Sequence, residues 1–180
     1  MSVFEEKQIT REEIYDGAVL HVVKDTILLP DGNTSFREFC LHKGAVAVIP
    51  VDDDNTVTMV RQFRYAHHRE FLEIPAGKLD SIDEIPLEAA KRELREETGA
   101  TAGRYIDLGM LDTTPALIDE KIQLYMAEDL TFGETDPDDD EFLEVIKYPL
   151  GELVEMVMSG KIRDGKTQIA ILKAAKIRGI

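Results

Sequence analysis

The feature that most constrains the fold is a charged segment, Ile85 to Thr98, whose few apolar residues are spaced as in an α-helix. Residues at intervals of three and four share one helical face. Those on this face are Leu87, Ala90 and Leu94. Pro86 suits the first turn of such a helix, and Gly99 suits its C-terminal cap. The pattern predicts a helix whose single apolar face packs on another layer of the protein.

Strand patterns lie on both sides of this helix. Stretches 18–29 and 34–42, joined by the turn PDGN, predict a hairpin. Stretches 44–51 and 56–63 predict a second hairpin, and their unbroken apolar character indicates a sheet covered on both faces. Further strands are predicted at 104–111, 121–127 and 142–148, and further helices at 150–160 and 167–177. The order predicts an α/β fold in which a mixed β-sheet is sandwiched between helices.

Three glutamates crowd the predicted helix. Glu93 shares a face with Glu96 and Glu97, because residues three and four apart are neighbours on a helix, and like charges at this spacing weaken it. One interpretation is a solvated helix whose acids are neutralised by Lys91, Arg92 and Arg95. The other is a magnesium site, since hard divalent cations take oxygen ligands and clustered carboxylates become favourable once an ion is present.

Composition limits the partners of the chain. With a formal net charge of -15, the 180-residue chain is expected to repel nucleic acids and anionic membranes. An anionic substrate would therefore need a bound cation or a local group of arginines. The sequence shows no apolar run long enough for a membrane span, and the start MSVFEEKQIT has no signal-peptide character. A cytoplasmic location is expected, with Cys40, the one cysteine, as a structural thiol.

Read as a whole, the segment PAGKLD followed by RELREETG resembles the signature of the Nudix hydrolases, G-x5-E-x7-R-E-U-x-E-E-x-G-U, in which U is apolar. The resemblance implies the Nudix fold and Mg-dependent hydrolysis, with Mn as an alternative ion. It also implies that Glu93, Glu96 and Glu97 bind metal, with Glu97 as a catalytic residue. Residues with a structural role in the motif would be Gly77, Glu84, Arg92 and Gly99.

The sequence departs from that signature at one point. Six residues, not five, separate Gly77 from Glu84, so either Asp83 or Glu84 fills the first acidic position. Glu84 is favoured, because its spacing to Arg92 is intact. The extra residue can then be absorbed in the loop LDSID.

Outside the motif, the chain resembles the ADP-ribose pyrophosphatase branch of the family, through GAVAVIPV, VRQFRYA, EFLEIPAGKLD and TTPALIDEKIQLYMA. Pro115 lies sixteen residues beyond Gly99, as in that branch, whereas Ala116 to Ile118 depart from it. The resemblance implies hydrolysis of ADP-ribose to AMP and ribose 5-phosphate. Alternatives are a Nudix hydrolase for GDP-mannose or ADP-glucose and, from another class, a non-catalytic sensor that binds ADP-ribose.

The same branch suggests roles for single residues. The carbonyl of Ala76 would join the metal shell, Arg64 would contact the substrate phosphates, and Glu73 would lie near the metals or the ribose. The alternatives are that Ala76 is a simple turn residue and that Arg64 and Glu73 form ordinary ion pairs. Glu141, in the acidic run DDDEFLEV, would be the general base that accepts a proton from water. The alternative bases are Asp140 and Glu144.

Members of this branch are typically homodimers, and the resemblance extends that expectation to this chain. It divides the chain into an N-terminal β-hairpin extension at 1–42, for dimerisation and the substrate pocket, and a Nudix domain at 43–180. Tyr15 and Phe36 are the unranked candidates for stacking on the adenine.

Overall fold

The computed structural model of the chain describes residues 3–136 and 142–180. These residues form strands and helices that alternate much as the sequence predicts. The strands are β1 Lys7–Asp16, β2 His21–Leu28, β3 Thr34–Leu41, β4 Ala45–Pro50, β5 Thr56–Arg64, β6 Arg69–Glu73, β7 Ala76–Lys78, β8 Ala100–Asp112, β9 Lys121–Phe132 and β10 Leu143–Pro149. The helices are α1 Pro86–Thr98, α2 Leu150–Met158 and α3 Gly165–Arg178, with a short 3-10 turn at Tyr65–His67.

The chain divides into two compact units. The first is Met1–Lys43 with Asp112–Lys121, and the second is Gly44–Leu111 with Ile122–Ile180. The first unit thus contains the N-terminal strands and the loop that carries Pro115. The sequence-based division into 1–42 and 43–180 places this loop in the larger domain.

The first unit is built on an antiparallel sheet in the order β1-β2-β3. The predicted hairpin is confirmed, with β2 and β3 joined by a turn in which Gly32 has φ of 87°. Strand β1 is exposed along its whole length and is held by Arg11, whose guanidinium makes two hydrogen bonds of 2.7 Å to Asp25. The loop that carries Pro115 binds to the β3 edge of this sheet, where the amide of Cys40 donates to the carbonyl of Leu117.

The second unit contains a mixed four-stranded sheet in the order β7-β4-β9-β8. Its central strand β4 runs antiparallel to β7 and parallel to β9. Every residue of β4 is buried, because alternate side chains pack on opposite faces of the sheet. Val46 and Val48 lie in one apolar cluster with residues of α1, whereas Ala47 and Ile49 lie in another with residues of α2 and α3. The predicted α/β fold with helices on both faces is confirmed.

The predicted pairing of β4 with β5 is wrong. Strand β5 belongs to a separate sheet in the order β10-β5-β6, and next to the turn it meets the segment after β4 in the antiparallel bridge between Val51 and Val57. The turn between them does form, since the amide of Asn55 donates to the carbonyl of Asp52. A strand has two edges, and both edges of β4 and of β5 are taken by other strands. The turn of the predicted hairpin therefore forms, but the two strands do not pair along their length.

Helix α1 has the predicted ends. Pro86 occupies its first turn, and Gly99 adopts φ of 69° while its amide donates to the carbonyl of Arg95. A Cβ at Gly99 would lie 2.4 Å from the carbonyl oxygen of Gly133, so the position excludes any side chain. None of the helices in the described part of the chain has the length and hydropathy needed to cross a bilayer.

Candidate active site

The candidate site lies where β7 passes the polar face of α1. Gly77 is in such close contact with this helix that a Cβ added to it would lie 2.0 Å from the carboxyl carbon of Glu93. A larger residue at position 77 would therefore displace the Glu93 carboxylate from its place beside β7. The neighbouring amide of Ala76 donates a hydrogen bond of 3.1 Å to Oε2 of Glu97, which is buried.

Arg92 links the loop that precedes α1 to the helix. Its Nη1 donates to Oε1 of Glu93 at 2.7 Å and to Oε2 of Glu96 at 3.3 Å. Its Nη2 donates to the carbonyl of Lys78 at 3.3 Å and to Oε1 of Glu84 at 3.4 Å. Burial lowers the pKa of Arg92. The surrounding carboxylates, that of Glu93 foremost, raise this pKa by more than burial lowers it, so the net shift is upward. One guanidinium thus relieves the mutual repulsion of several acids.

The same contacts bear on the choice between Asp83 and Glu84. Glu84 is half-buried and uses both oxygens, one toward Arg92 and the other as acceptor from the amide of Asp80 at 2.6 Å. Asp83 is exposed. The residue in contact with the motif arginine is therefore Glu84, as the intact spacing to Arg92 favours.

The three motif glutamates differ in their surroundings. Glu93 and Glu96 both accept from Arg92, and Glu97 is turned toward the backbone of Ala76. Within the described residues, no three carboxylate, imidazole or thiol groups converge on a point that would hold an ion as they stand. The donor chemistry nevertheless fits a hard divalent cation, because every donor is an oxygen and the backbone at Gly77 passes close to the Glu93 carboxylate.

A second charged group is centred on Glu73, at the end of β6. The Glu73 side chain is 2% exposed, and its two oxygens accept from Nε and Nη2 of Arg64, both at 2.7 Å. Nζ of Lys166 donates to the same carboxylate. Burial raises the pKa of Glu73, but the hydrogen bonds from Arg64 and the charge of Lys166 outweigh it, so the pKa lies below its ordinary value.

The start of α3 anchors this group to the segment that leads to Ala76. Oγ1 of the buried Thr167 accepts a hydrogen bond of 3.0 Å from the amide of Ile74, directly after Glu73. The amide of Thr167 in turn donates to the N-cap carboxylate of Asp164 at 2.9 Å. The charge of Glu97 also raises the pKa of Arg64, after the larger effects of Glu73 and of burial, so the two charged groups interact electrostatically.

The predicted residues therefore fall into two groups. One comprises Ala76, Gly77, Glu84, Arg92, Glu93, Glu96 and Glu97. The other pairs Arg64 with Glu73 and includes Lys166, which the sequence analysis missed. Lys166 follows Gly165 in the first turn of a helix, and no spacing in the sequence sets it apart from the other lysines of that helix.

Other predicted residues lie elsewhere. Glu141 and Asp140 are outside the described residues. Glu144 is on β10, where it forms an exposed ion pair of 3.1 Å with Arg61. Tyr15 and Phe36 are exposed on β1 and β3 of the first unit, and the ammonium of Lys24 lies 4.8 Å from the centroid of the Phe36 ring.

Comparison with known proteins adds independent information. Residues 41–168 match the model of the NUDIX domain. An ADP-ribose pyrophosphatase of Bacillus subtilis is 40% identical over 173 residues, which cover 95% of this chain and 93% of that protein. A methanol dehydrogenase activator of Bacillus methanolicus is 41% identical over 171 residues, which cover 94% of this chain and 92% of that protein.

Among solved structures, the crystal structure of an ADP compounds hydrolase superposes with a TM-score of 0.86. The superposition covers 99% of this chain and 97% of the other at 21% sequence identity. This likeness concerns the fold, which is the mixed α/β arrangement described above.

Proposed function

The chain belongs to the Nudix family, and we propose that it hydrolyses the diphosphate bond of ADP-ribose to AMP and ribose 5-phosphate. The observation that carries the proposal is the contact of Gly77 with Glu93 on the helix where Arg92 joins Glu93, Glu96 and Glu84. The name of the Bacillus subtilis relative supports ADP-ribose as the substrate.

Glu93, Glu96 and Glu97, together with the carbonyl of Ala76, would hold a divalent cation, Mg²⁺ or Mn²⁺. When bound, such an ion lowers the pKa of a coordinated water and neutralises charge that develops on the diphosphate. Gly77 keeps the backbone close to Glu93, and Arg92 fixes Glu84 and the loop against the helix. An acidic protein could bind an anionic substrate here, because the ion reverses the local sign of charge.

Arg64 would orient the diphosphate of the substrate. Nε and Nη2, on one edge of its planar guanidinium, are bound to Glu73, so the remaining donors point away from that carboxylate. The side chain is 40% exposed, which leaves these donors accessible to a phosphate oxygen. Glu73 thereby holds the arginine in one orientation, and we assign it this supporting role at the substrate.

Glu141 would accept the proton of the attacking water, with Asp140 and Glu144 as alternatives. A carboxylate in this acidic run can serve as base if it comes within hydrogen-bond distance of that water. Homodimer formation, Mg²⁺ as the ion in use and a cytoplasmic location stay predictions from the sequence.

The proposal is tested by incubating the purified protein and Mg²⁺ with ADP-ribose, GDP-mannose, ADP-glucose and diadenosine compounds. Phosphate is followed after treatment with a phosphatase, since only the monoesters released by hydrolysis yield it. ADP-ribose should give the highest kcat/KM, and E97Q should lose nearly all activity while remaining folded. E88Q is the matched control, because Glu88 is exposed on the same helix and pairs with Lys91.

Two results would contradict the proposal. Turnover of none of these compounds, with tight binding of ADP-ribose, would indicate the non-catalytic sensor. Full activity of E97Q would refute the metal assignment.

A further inference from the structure

We propose that Lys166 is a positioning residue for the reaction: through Glu73 it fixes Arg64 in the orientation that binds the substrate diphosphate. The inference rests on the proposed function. It concerns a residue 93 positions away in sequence from the carboxylate it contacts.

The contact between Lys166 and Glu73 is buried. The side chain of Lys166 is 12% exposed and that of Glu73 is 2% exposed, so this contact is shielded from water. A lysine is seldom buried without a partner, because its ammonium loses hydration. Here the partners are Glu73 and the N-cap residue Asp164, whose Oδ2 lies 3.1 Å from Nζ. The first turn of α3 therefore holds this ammonium in one place.

Charge is the second consideration. Glu73 is contacted by both Arg64 and Lys166, and Asp164 lies beside Lys166, so two cations balance two carboxylates. Without Lys166, the carboxylates of Glu73 and Asp164 would face Arg64 alone, and this group would carry a net negative charge that repels a diphosphate.

The third step concerns geometry. A bidentate pair between a carboxylate and a guanidinium fixes orientation only if the carboxylate itself is fixed. Oε2 of Glu73 receives both Nη2 of Arg64 and Nζ of Lys166, and the adjacent amide of Ile74 is bound by Thr167. The start of α3 thus fixes both the side chain and the backbone at Glu73, and Arg64 takes its direction from them.

The test compares K166M, K166R and K176M. Lys176 is exposed on the same helix and serves as the matched control. With ADP-ribose as substrate, K166M should raise KM by roughly tenfold or more and lower kcat less, because a binding contact is misplaced. K166R should recover much of the loss, since it keeps the charge, and K176M should match the wild type. Binding of ADP in EDTA, measured by calorimetry, should weaken in the same order without turnover.

A double-mutant cycle separates action through Glu73 from direct contact with the substrate. If Lys166 acts through Glu73, K166M should add little to the effect of E73Q on KM and on ADP binding. A full additional loss in the E73Q background would overturn the proposal. A K166M protein that melts at a lower temperature, yet keeps wild-type KM and ADP binding when folded, would show a structural role only and would also overturn it.

K166R covers the case in which K166M fails to fold. A folded K166R with KM and ADP binding restored nearly to wild type supports the proposal. A folded K166R that binds ADP no better than the E73Q variant contradicts it. Absence of hydrolysis by the wild type would be a failure of the proposed function, and the calorimetric arm would still decide the role of Lys166.

Discussion

Two charged groups of the second unit have opposite arrangements of charge. On α1, the carboxylates of Glu84, Glu93 and Glu96 surround a single guanidinium, that of Arg92, at 2.7 to 3.4 Å. At the end of β6, a single carboxylate, that of Glu73, is contacted by two cations. The first group has an excess of negative charge, and the second has its buried charge fully compensated.

The difference suggests that the two groups have different roles. A group with excess carboxylate charge gains stability from a divalent cation, whereas a compensated buried group gains nothing from one and serves to hold its members in place. This difference supports the proposal that α1 binds the ion and that the group around Glu73 orients the substrate.

Among the variants that compare the two groups, G77A should have the largest effect. The added Cβ would overlap the carboxyl group of Glu93 at 2.0 Å, so either the side chain or β7 must move. If Glu93 is a metal ligand as proposed, a shift of its carboxylate by about 1 Å should lower kcat/KM by roughly a hundredfold. G151A is the control, since a Cβ there meets its nearest neighbour at 3.9 Å. Activity of G77A within a few-fold of wild type would show that the close contact is dispensable.

Next in size is a contrast in stability between the two groups. E73Q leaves two cations beside a neutral amide and should lower the free energy of unfolding by about 3 kcal/mol, as loss of one partner from a buried ion pair does. E96Q, measured without divalent ions, should change it by less than about 1 kcal/mol, because Glu96 is 27% exposed and the loss of its ion pairs with Arg92 and Arg95 is offset by less repulsion from Glu93. Urea denaturation measures both. Equal losses of unfolding free energy in E73Q and E96Q would show that the two groups do not differ in this way.

The smallest effect concerns acid. The pKa of Glu73 is below its ordinary value of 4.5 in the folded protein, because the cations outweigh the effect of burial. As pH falls below about 4.5, the unfolded chain takes up this proton first, so the stability that Glu73 contributes is present above this pH and lost below it. The difference in unfolding free energy between wild type and E73Q should therefore narrow in acid. A difference that is constant from pH 7 to pH 3.5 would contradict the lowered pKa.

The two groups also differ in how far the sequence predicts them. The group on α1 lies within one helix and its preceding loop, so Pro86, Gly99 and the spacing from Glu84 to Arg92 are local signals. The group around Glu73 combines three segments, and neither the pairing of Arg64 with Glu73 nor the contact of Lys166 leaves a periodic pattern.

Strand pairing fails for a similar reason. The sequence indicates correctly that β4 is buried on both faces, because this depends on its own side chains. It does not indicate that β9 and β7 take the edges of β4 or that β10 and β6 take those of β5. These partners are chosen by the packing of the whole unit, and β6 and β7 are short strands that the sequence analysis did not identify.

Binding of a divalent ion by the carboxylates of α1 can be measured by titration with Mn²⁺ followed by electron paramagnetic resonance, which counts the free ion without reference to activity. Wild type and E88Q should bind Mn²⁺ with the same affinity, and E97Q should bind it at least tenfold more weakly, since it loses a charged ligand. Equal Mn²⁺ affinity in all three proteins would contradict the account.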